Sequence, residues 1–297
     1  MVNLLKALLR VLAGLAVLIA LLGCIVYWQS NVRLHRVFPV AVLPPTLPAG
    51  TADVEQGRHL ARTRGCNVCH GADLGGAKVI DDPAMGRLFG PNLTRGRGGV
   101  VAAFSDQDFE RAIRHGVTPD GRGLFLMPSA DYAQFTQADM ADLIAYVKSV
   151  PPVDRESVPL RIGPVARALL VAGKIKLSAE VIDHAALKPD VVERGPTVAY
   201  GRYVAISCTG CHGSNYSGGK IEIGPPNWPH AANLTPAGHL AGWSEADFIA
   251  ALRTGRRPDG TQIDPVMPRA FGEMDDIELK AAWKFLRTLR PFPTGVR

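Results

Sequence analysis

The chain begins with one long apolar segment. No charged residue occurs from Val11 to Trp28, whereas two basic residues precede that run. A run of about 18 uncharged residues reaches the lower end of the length that crosses a bilayer as a helix. Tyr27 and Trp28 end it, at the level where an interfacial aromatic belt would lie. The pattern therefore predicts a single transmembrane helix, with residues 1–28 as the membrane anchor.

Two other interpretations of this segment stay open. A cleaved secretory signal would need a small-x-small cleavage site, and no convincing one follows the run. Leu21-Leu22-Gly23-Cys24 is similar to a lipoprotein signal, yet leucine stands where a smaller residue is usual and the apolar run continues to Trp28. Cys24 is therefore interpreted as a small apolar residue of the anchor, with lipidation as the alternative.

Proline-rich sequence follows the apolar run. Residues 29–51 include Pro39, Pro44, Pro45 and Pro48. Because proline fixes φ and removes a hydrogen-bond donor, this composition predicts an extended, semi-rigid tether. Such a tether would hold the rest of the chain away from the bilayer.

From residue 52 the same pattern occurs twice, in residues 52–150 and 196–297. The offset between the copies is 142 positions at the first cysteine and 140 at the methionine that precedes a proline. Near-constant spacing over this length indicates one domain that has been duplicated. The shared motifs are Gly57-Arg58 and Gly201-Arg202, Asn92-Leu93-Thr94 and Asn233-Leu234-Thr235, Pro119-Asp120-Gly121 and Pro258-Asp259-Gly260, and Met127-Pro128 and Met267-Pro268.

Each copy has the same helical plan. The segments 105–108 and 244–247 both begin with serine and are spaced as capping boxes, and Gly116 and Gly255 follow as C-terminal caps. The last helix of each copy is predicted to begin at Thr136 and at Asp275. The predicted fold class is all-α, with two tandem helical domains behind an N-terminal transmembrane helix.

Residues 151–195 form the interdomain linker. Its first part contains several prolines, which predict extended chain, and Val165–Lys176 has the composition of a short helix. The segment is too structured for a free linker, so we expect it to pack across the two domains. The formal net charge of +6 comes with no basic cluster and no nucleic-acid motif, which argues against nucleic-acid binding.

Four of the five cysteines lie in two matched strings, Cys66–His70 and Cys208–His212, both of the form Cys-x-x-Cys-His. Thiols at positions i and i+3 of a helical turn share one face, so each can add to one of the two vinyl groups of a haem. The next histidine then lies under the iron. We predict two covalently bound haem c groups, attached through Cys66, Cys69, Cys208 and Cys211, with His70 and His212 as iron ligands.

Two alternatives for the cysteine pairs are disfavoured. A zinc site built from both pairs is improbable, because each pair lies within its own copy of the repeat. A thioredoxin-like redox pair would need a βαβ context, and the sequence has no such pattern.

The haem iron takes a second axial ligand. Of the six methionines, only Met127 and Met267 occupy matched positions, and each precedes a proline. A methionine thioether saturates the iron and raises its potential, which suits an electron carrier. Core packing is the alternative for a methionine, and no second histidine recurs in both copies. The matched Arg114 and Arg253 are interpreted as solvent-exposed helix residues, with contact to a haem propionate as the alternative.

These motifs resemble those of class I cytochrome c over about residues 52–150 and 196–291. The resemblance includes Gly90-Pro91-Asn92-Leu93. It implies two tandem class I cytochrome c domains, in which the carbonyl of Pro91 accepts a hydrogen bond from the imidazole of His70 and orients the ring. Ala232 stands at the corresponding position of the second copy.

The whole chain is similar to the cytochrome c subunits of membrane-bound periplasmic alcohol, aldehyde and gluconate dehydrogenases, although those subunits commonly carry three haem domains. The resemblance implies a single-pass protein of the bacterial inner membrane with its haem domains in the periplasm. It would carry electrons of a respiratory or dehydrogenase complex between redox partners, namely a dehydrogenase, a cytochrome c or an oxidase, without catalysis of its own. A peroxidase-like dihaem enzyme is the alternative, and the matched methionines argue against it because such an enzyme needs an open iron site.

Overall fold

The computed structural model describes residues 2–42, 51–185, 187, 191–221 and 227–296. Within these ranges the chain is mainly helical, as predicted, with a small antiparallel sheet in the strand order β1-β2-β3. The strands are β1 (Ala77–Asp82), β2 (Gly86–Gly90) and β3 (Arg161–Ile162). The α-helices are α1 (Val2–Leu34), α2 (Val54–Thr63), α3 (Cys66–His70), α4 (Asp106–His115), α5 (Ser129–Tyr132), α6 (Gln137–Ser149), α7 (Pro164–Val171), α8 (Ser178–Val181), α9 (Val198–Ala205), α10 (Thr209–His212), α11 (Glu245–Thr254) and α12 (Asp276–Arg287). Short 3-10 helices cover Ile206–Cys208, His239–Gly242 and Arg269–Glu273.

Among the described helices, only α1 is long and apolar enough to cross a membrane. It contains no proline and is rich in leucine, which favours unbroken helix. The helix continues past Trp28 to Leu34, into the segment predicted as tether. Beyond it the Phe38 amide donates to the carbonyl of Gly121 at 2.8 Å, and the Phe38 side chain is buried. This part of the tether is therefore fixed to the first copy, and Pro44, Pro45 and Pro48 lie outside the described residues.

The predicted helix ends are confirmed in both copies. Ser105 begins α4 and Ser244 begins α11, each with a complete capping box. Gly116 and Gly255 end these helices at φ values of 65° and 71°, in the left-handed region that glycine adopts without a steric penalty. The predicted caps of the last helices, Thr136 for α6 and Asp275 for α12, are also present.

Each copy is built on a close crossing between its first and last helices. In the first copy α2 packs against α6, and in the second α9 packs against α12. A Cβ atom on Gly57 would lie 2.0 Å from the carbonyl oxygen of Asp142, and one on Gly201 would lie 1.9 Å from that of Ala281. Only glycine therefore lets the two helix backbones approach this closely, which explains why the repeat begins with a matched glycine.

The interdomain linker packs mainly on the first copy and on α1. Its strand β3 pairs with β2, its helix α7 packs against α1, and α8 packs against α5. The predicted helix is shorter than Val165–Lys176, because it ends at Val171 before Gly173, whose φ is 71°. We expected the linker to pack across both copies. Its contact with the second copy comes near its end, where Arg194 binds Asp275.

The two copies share one hydrophobic core. Buried side chains from α2 and α6 join buried side chains from α9 and α12 in a single cluster, which includes Met140 of the first copy and Leu279 of the second. Between them Phe135 lies close to Tyr203, with ring centroids 6.3 Å apart. The duplicated domains therefore form one body.

Matched residues make matched contacts across this boundary. His59 of α2 donates through Nε2 to Glu278 of α12, with 2.6 Å between the atoms. Tyr203 of α9 donates to Asp139 of α6. In the repeat His59 corresponds to Tyr203 and Asp139 to Glu278, so the two contacts are equivalent, with the roles of the copies exchanged. The two copies therefore face each other about an approximate two-fold axis.

Glu278 makes a buried ion pair at the boundary. Its Oε1 atom accepts a hydrogen bond from Arg64 at 2.7 Å, and both side chains are 1% exposed. Burial by itself would raise the pKa of Glu278, but the hydrogen bond from His59 and the charge of Arg64 lower it to about 2. Removal of one partner from such a buried pair leaves an uncompensated charge, at a cost of about 3–5 kcal/mol.

The helix crossings predict the effect of an added methyl group. Gly57→Ala and Gly201→Ala should each destabilise the protein by about 3 kcal/mol, the upper end of the usual cost of overpacking, because the clash is with backbone. Urea unfolding followed by circular dichroism measures the effect. Gly242→Ala is the matched control, since a Cβ there meets nothing within 4 Å. An unchanged midpoint for Gly57→Ala would contradict the close crossing.

The charge of Glu278 predicts a pH-dependent contribution to stability. Glu278→Gln keeps the side chain's capping bond to Asp275 but leaves Arg64 without a counterion, so the variant should lose about 3 kcal/mol at neutral pH. In the parent protein this stabilisation is complete above the ordinary pKa of 4.5 and is lost as the pH falls to about 2. The difference between the two proteins in urea unfolding should therefore disappear over that pH range.

A half-exposed ion pair provides the control for this experiment. Glu273→Gln breaks only the pair with Arg62, in which both side chains are about half exposed, and should cost at most about 0.5 kcal/mol. A difference between the parent and Glu278→Gln that stays constant down to pH 2 would show that the charge of Glu278 is not the cause.

Candidate cofactor sites

Each cysteine string forms a short helical turn. In the first copy the string is α3, and in the second a 3-10 turn over Ile206–Cys208 continues directly into α10. Cys66 and Cys208 both pack against the shared core. Burial raises the pKa of each of these two thiols to about 12, so both are neutral groups in apolar surroundings. Each string therefore carries its two cysteines and the following histidine on one short helical segment.

A backbone carbonyl orients each of the two histidines. Nδ1 of His70 lies 2.9 Å from the carbonyl oxygen of Pro91, and Nδ1 of His212 lies 2.7 Å from that of Ala232. A carbonyl oxygen can only accept, so Nδ1 carries the proton and Nε2 keeps its lone pair. Burial lowers the pKa of His70, which also favours the neutral ring. The hydrogen bond to the histidine is kept with Ala232 in place of proline, because its acceptor is a backbone carbonyl.

The Asn-Leu-Thr motif fixes the loop that supplies this carbonyl. Asn92 follows Pro91 and is fully buried, and its Nδ2 donates to the carbonyl of Val153 at 2.7 Å. Its Oδ1 accepts from the amide and hydroxyl of the threonine two positions later. Asn233 makes the same bonds in the second copy, where Nδ2 donates to Phe292 at 2.8 Å. The asparagine thus ties the histidine-binding loop to the chain that follows the last helix.

The two predicted methionines lie in different surroundings. Met127 packs against the shared core, and its carbonyl accepts a hydrogen bond from Ser178 of the linker at 2.6 Å. Met267 is half-buried, and its amide donates to the carbonyl of Asp264 at 3.0 Å. The structure therefore places Met127 against the same core as Cys66, and both methionines are half-buried.

The matched arginines fix the turn that follows each methionine. Arg114 donates to the carbonyl of Ala133 at 2.8 Å, and Arg253 donates to the matched carbonyl of Gly272 at the same distance. Arg114 is 2% exposed and also binds Glu110, so the expectation of a solvent-exposed arginine was wrong there. It holds for Arg253, which is exposed. Because the helix end around Arg114 is covered, its guanidinium needs several hydrogen-bond acceptors within the protein, and Glu110 and the carbonyl of Ala133 are among them.

Two charged residues beside the cysteine turns, the buried Arg64 and the half-buried Asp131, were not indicated by the sequence. The positive charge of Arg64 acts on the thiols of both Cys66 and Cys208. Asp131 of the first copy accepts a hydrogen bond from Thr209 of the second at 2.9 Å, and burial raises its pKa to about 6. Neither residue recurs at the matched position of the other copy, so the repeat carried no signal for them.

The side chains of His59, Asp275 and Glu278 form a cluster that could in principle hold a metal ion, since their ligand atoms lie within 4.8 Å of one another. Both carboxylates are already bound by arginine, Asp275 by Arg194 and Glu278 by Arg64. A cation would have to displace these guanidinium groups, so the cluster is an ion-pair network of the boundary.

The residues of both turns fit a covalently attached haem. Each turn offers two thiols and a histidine whose lone pair is on Nε2, which is the donor set of c-type attachment. The surrounding backbone forms a tight cradle. A Cβ on Gly90 would lie 1.9 Å from the carbonyl oxygen of Cys69, and one on Gly218 would lie 2.4 Å from that of Ala232. The carbonyl loop is therefore packed against the attachment turn in the first copy and against the glycine that follows the turn in the second.

The sequence matches the family model described as cytochrome c twice, over residues 54–151 and 193–290. Among curated relatives, the fructose dehydrogenase cytochrome subunit of Gluconobacter japonicus is 26% identical, over 83% of this chain and 54% of the relative. The cytochrome c subunit of the quinone alcohol dehydrogenase of Gluconacetobacter polyoxogenes is 28% identical, over 84% of this chain and 59% of the relative. The chain thus spans little more than half the length of these subunits.

A further relative has nearly the same length as this chain. The diheme cytochrome c-type protein of Cereibacter sphaeroides is 26% identical, over 93% of this chain and 96% of the relative. The predicted class of protein, a cytochrome c with two tandem domains, is thereby confirmed, and the relatives named here are cytochromes or cytochrome subunits.

The buried asparagine predicts a structural role for the Asn-Leu-Thr motif. Asn92→Ala removes the two hydrogen bonds that the buried Nδ2 amide donates to the carbonyls of Val153 and Arg155, and should destabilise the protein by about 1–3 kcal/mol in urea unfolding. Asn67→Ala, whose amide donates at a partly exposed turn, should cost less, because water can replace its bonds. Equal effects of the two variants would contradict the clamp.

Proposed function

Because the chain belongs to the cytochrome c family and has two of its domains, we propose that it is a membrane-anchored electron carrier of the bacterial periplasm. Two covalently bound haem c groups are its cofactors, held by the cysteine pairs 66/69 and 208/211. Each bound haem supplies a reversible one-electron change at its iron. The observation that carries the proposal is the pair of equivalent cysteine turns, each with its oriented histidine, inside one body.

We assign the axial iron ligands as His70 with Met127 and His212 with Met267. The carbonyls of Pro91 and Ala232 support this assignment, since they hold the proton on Nδ1 and leave Nε2 to bind a metal. A thioether at the remaining position saturates the iron, which suits electron transfer and leaves no site for a substrate. This is the reason to prefer a carrier over a peroxidase-like enzyme.

The boundary between the copies keeps both cofactor sites in a fixed relation. Asp131 of the first copy binds Thr209 on the attachment turn of the second, and the charge of Arg64, which is paired to Glu278, acts on one thiol of each turn. No hinge between the copies is needed for electrons to pass from one site to the other.

We propose that α1 anchors the protein in the inner membrane as a single span, with the haem domains in the periplasm. Its length and composition support a span, and covalent haem attachment takes place outside the cytoplasm. The two named dehydrogenase relatives support a dehydrogenase as one redox partner, with another cytochrome c or an oxidase as the other. The carrier could be a subunit of such a complex or a separate donor or acceptor.

Substitution of the two methionines tests the carrier function. The oxidised protein should show the weak near-infrared sulfur-to-iron charge-transfer band with the intensity of two sites. Met127→Ala and Met267→Ala should each remove about half of the band and lower the potential of one haem, because a soft ligand that favours Fe(II) is lost. Absorption spectroscopy and a redox titration measure both effects.

The buried Met140 offers a matched control. It lies in the core of α6, so Met140→Leu should leave the band and both potentials unchanged. A band that survives either alanine substitution would show that the residue concerned is not a ligand. A parent protein with a high-spin haem that binds cyanide readily would overturn the carrier in favour of the enzyme.

A further inference from the structure

The end of α1 is bound firmly to the interdomain linker. Arg33 of α1 donates through Nε and one terminal nitrogen to Glu180, both at 2.7 Å, and it also binds the carbonyl of Leu170. In the opposite direction, Arg167 of α7 donates to Ser30 at 2.7 Å and to Asn31 at 3.0 Å. One arginine from each element therefore reaches into the other, and the linker cannot turn freely about the helix.

This contact places α7 at a defined level along α1. The guanidinium group of Arg167 lies over the ring of Tyr27, 4.4 Å from its centroid. Tyr27 and Trp28 end the apolar run of α1 and are both well exposed. Aromatic residues at this position mark the boundary between acyl chains and headgroups. The short helix α7 thus lies at the level where the apolar surface of α1 ends.

The surface that α7 turns away from the protein is apolar. Ala166 and Leu170 are buried, Leu170 in a cluster that includes Phe38 and Val117, whereas Pro164, Val165 and Ala168 are exposed. The exposed residues recur at one-turn spacing, so they share one face of the helix. The single charge of the helix, on Arg167, is bound to α1. The exposed apolar face of α7 therefore adjoins the apolar surface of α1.

Basic residues border this face. Lys174 and Lys176 follow α7 and are exposed, and Arg36 is exposed just beyond the end of α1. Glu180, the first carboxylate that follows these lysines in the linker, is already paired with Arg33. Positive charge beside a shallow apolar face is the arrangement of segments that lie on membranes with anionic lipids.

We propose that α7 lies in the surface of the membrane that α1 crosses, with its apolar face at the boundary of acyl chains and headgroups. The adjoining lysines contact anionic phospholipid headgroups. This inference rests on the proposed membrane anchor. Because α1 already holds α7 at the bilayer, the helix does not have to bind by its own affinity. Its insertion sets the orientation of the first cytochrome c domain, to which the linker is attached.

Nitroxide labels on the full-length protein test this placement. Cys24→Ser removes the one cysteine outside the haem strings, and Ala168→Cys then carries the label on α7. Trp28→Cys marks the end of the span, and Val198→Cys marks an exposed site on the second copy. Each labelled protein is reconstituted in its oxidised state in vesicles of phosphatidylcholine and phosphatidylglycerol in equal parts, and a spectrum under nitrogen without the chelate gives the baseline that includes relaxation by the haem iron. Paramagnetic resonance then compares collisions with oxygen, which enters lipid, and with a water-soluble nickel chelate.

The label at position 168 should favour oxygen over the chelate several-fold more than the label at 198, and should approach the label at 28. A lipid-exposed label at 28 with a water-exposed label at 168 would overturn the inference and leave the anchor intact. Water exposure at both 28 and 168 would overturn the anchor itself. A label at 168 shielded from both reagents would show that protein covers α7, and that outcome also overturns the inference.

Discussion

The carboxylate of Glu278 is buried at the boundary between the two copies, where both of its oxygens bind side chains of the other copy. One oxygen accepts from Arg64 and the other from His59. A buried carboxylate without these partners would be strongly unfavourable, so the chain reaches its stable state only when α12 and α2 meet in this register. Tyr203 and Asp139 repeat the contact on the other side of the axis. The fixed relation of the two haem attachment turns depends on these bonds.

Because the domain is duplicated, both copies have the same order of helices and turns, but matched positions in the two copies differ in what covers them. Val117 and Arg256 occupy matched positions, and each is bridged to a matched partner, Gly123 and Gln262. Val117 is fully buried in a second small cluster with side chains of the tether and linker, whereas Arg256 is exposed. The first copy is therefore fitted to the anchor through its own apolar face. The second copy keeps the matched face polar and open to solvent.

A continuous series of contacts joins the proposed anchor to the more distant haem domain. Arg33 and Arg167 fix the linker to α1, and the hydrogen bond from Ser178 to the carbonyl of Met127 fixes the linker to the first methionine loop. A few residues further on, Asp131 binds Thr209 on the second attachment turn. Each contact is short and partly or fully buried, so solvent competes with it weakly. The orientation of α1 is thereby transmitted through the first copy to the second.

The sequence by itself determined the features that follow local rules. The serine caps, the left-handed glycines and the cysteine strings were all predicted, because helix capping, φ and the spacing of side chains on one turn depend on neighbours in the chain. Because the domain is duplicated, each of these motifs occurs twice at matched positions, which made its prediction more secure. Only the tertiary structure decided that Arg114 is buried while the matched Arg253 is exposed, that a small sheet joins the linker to the first copy, and that Arg64 pairs with Glu278. These contacts join residues far apart in the chain, and a charged residue has the same local pattern whether its partner is water or a buried carboxylate.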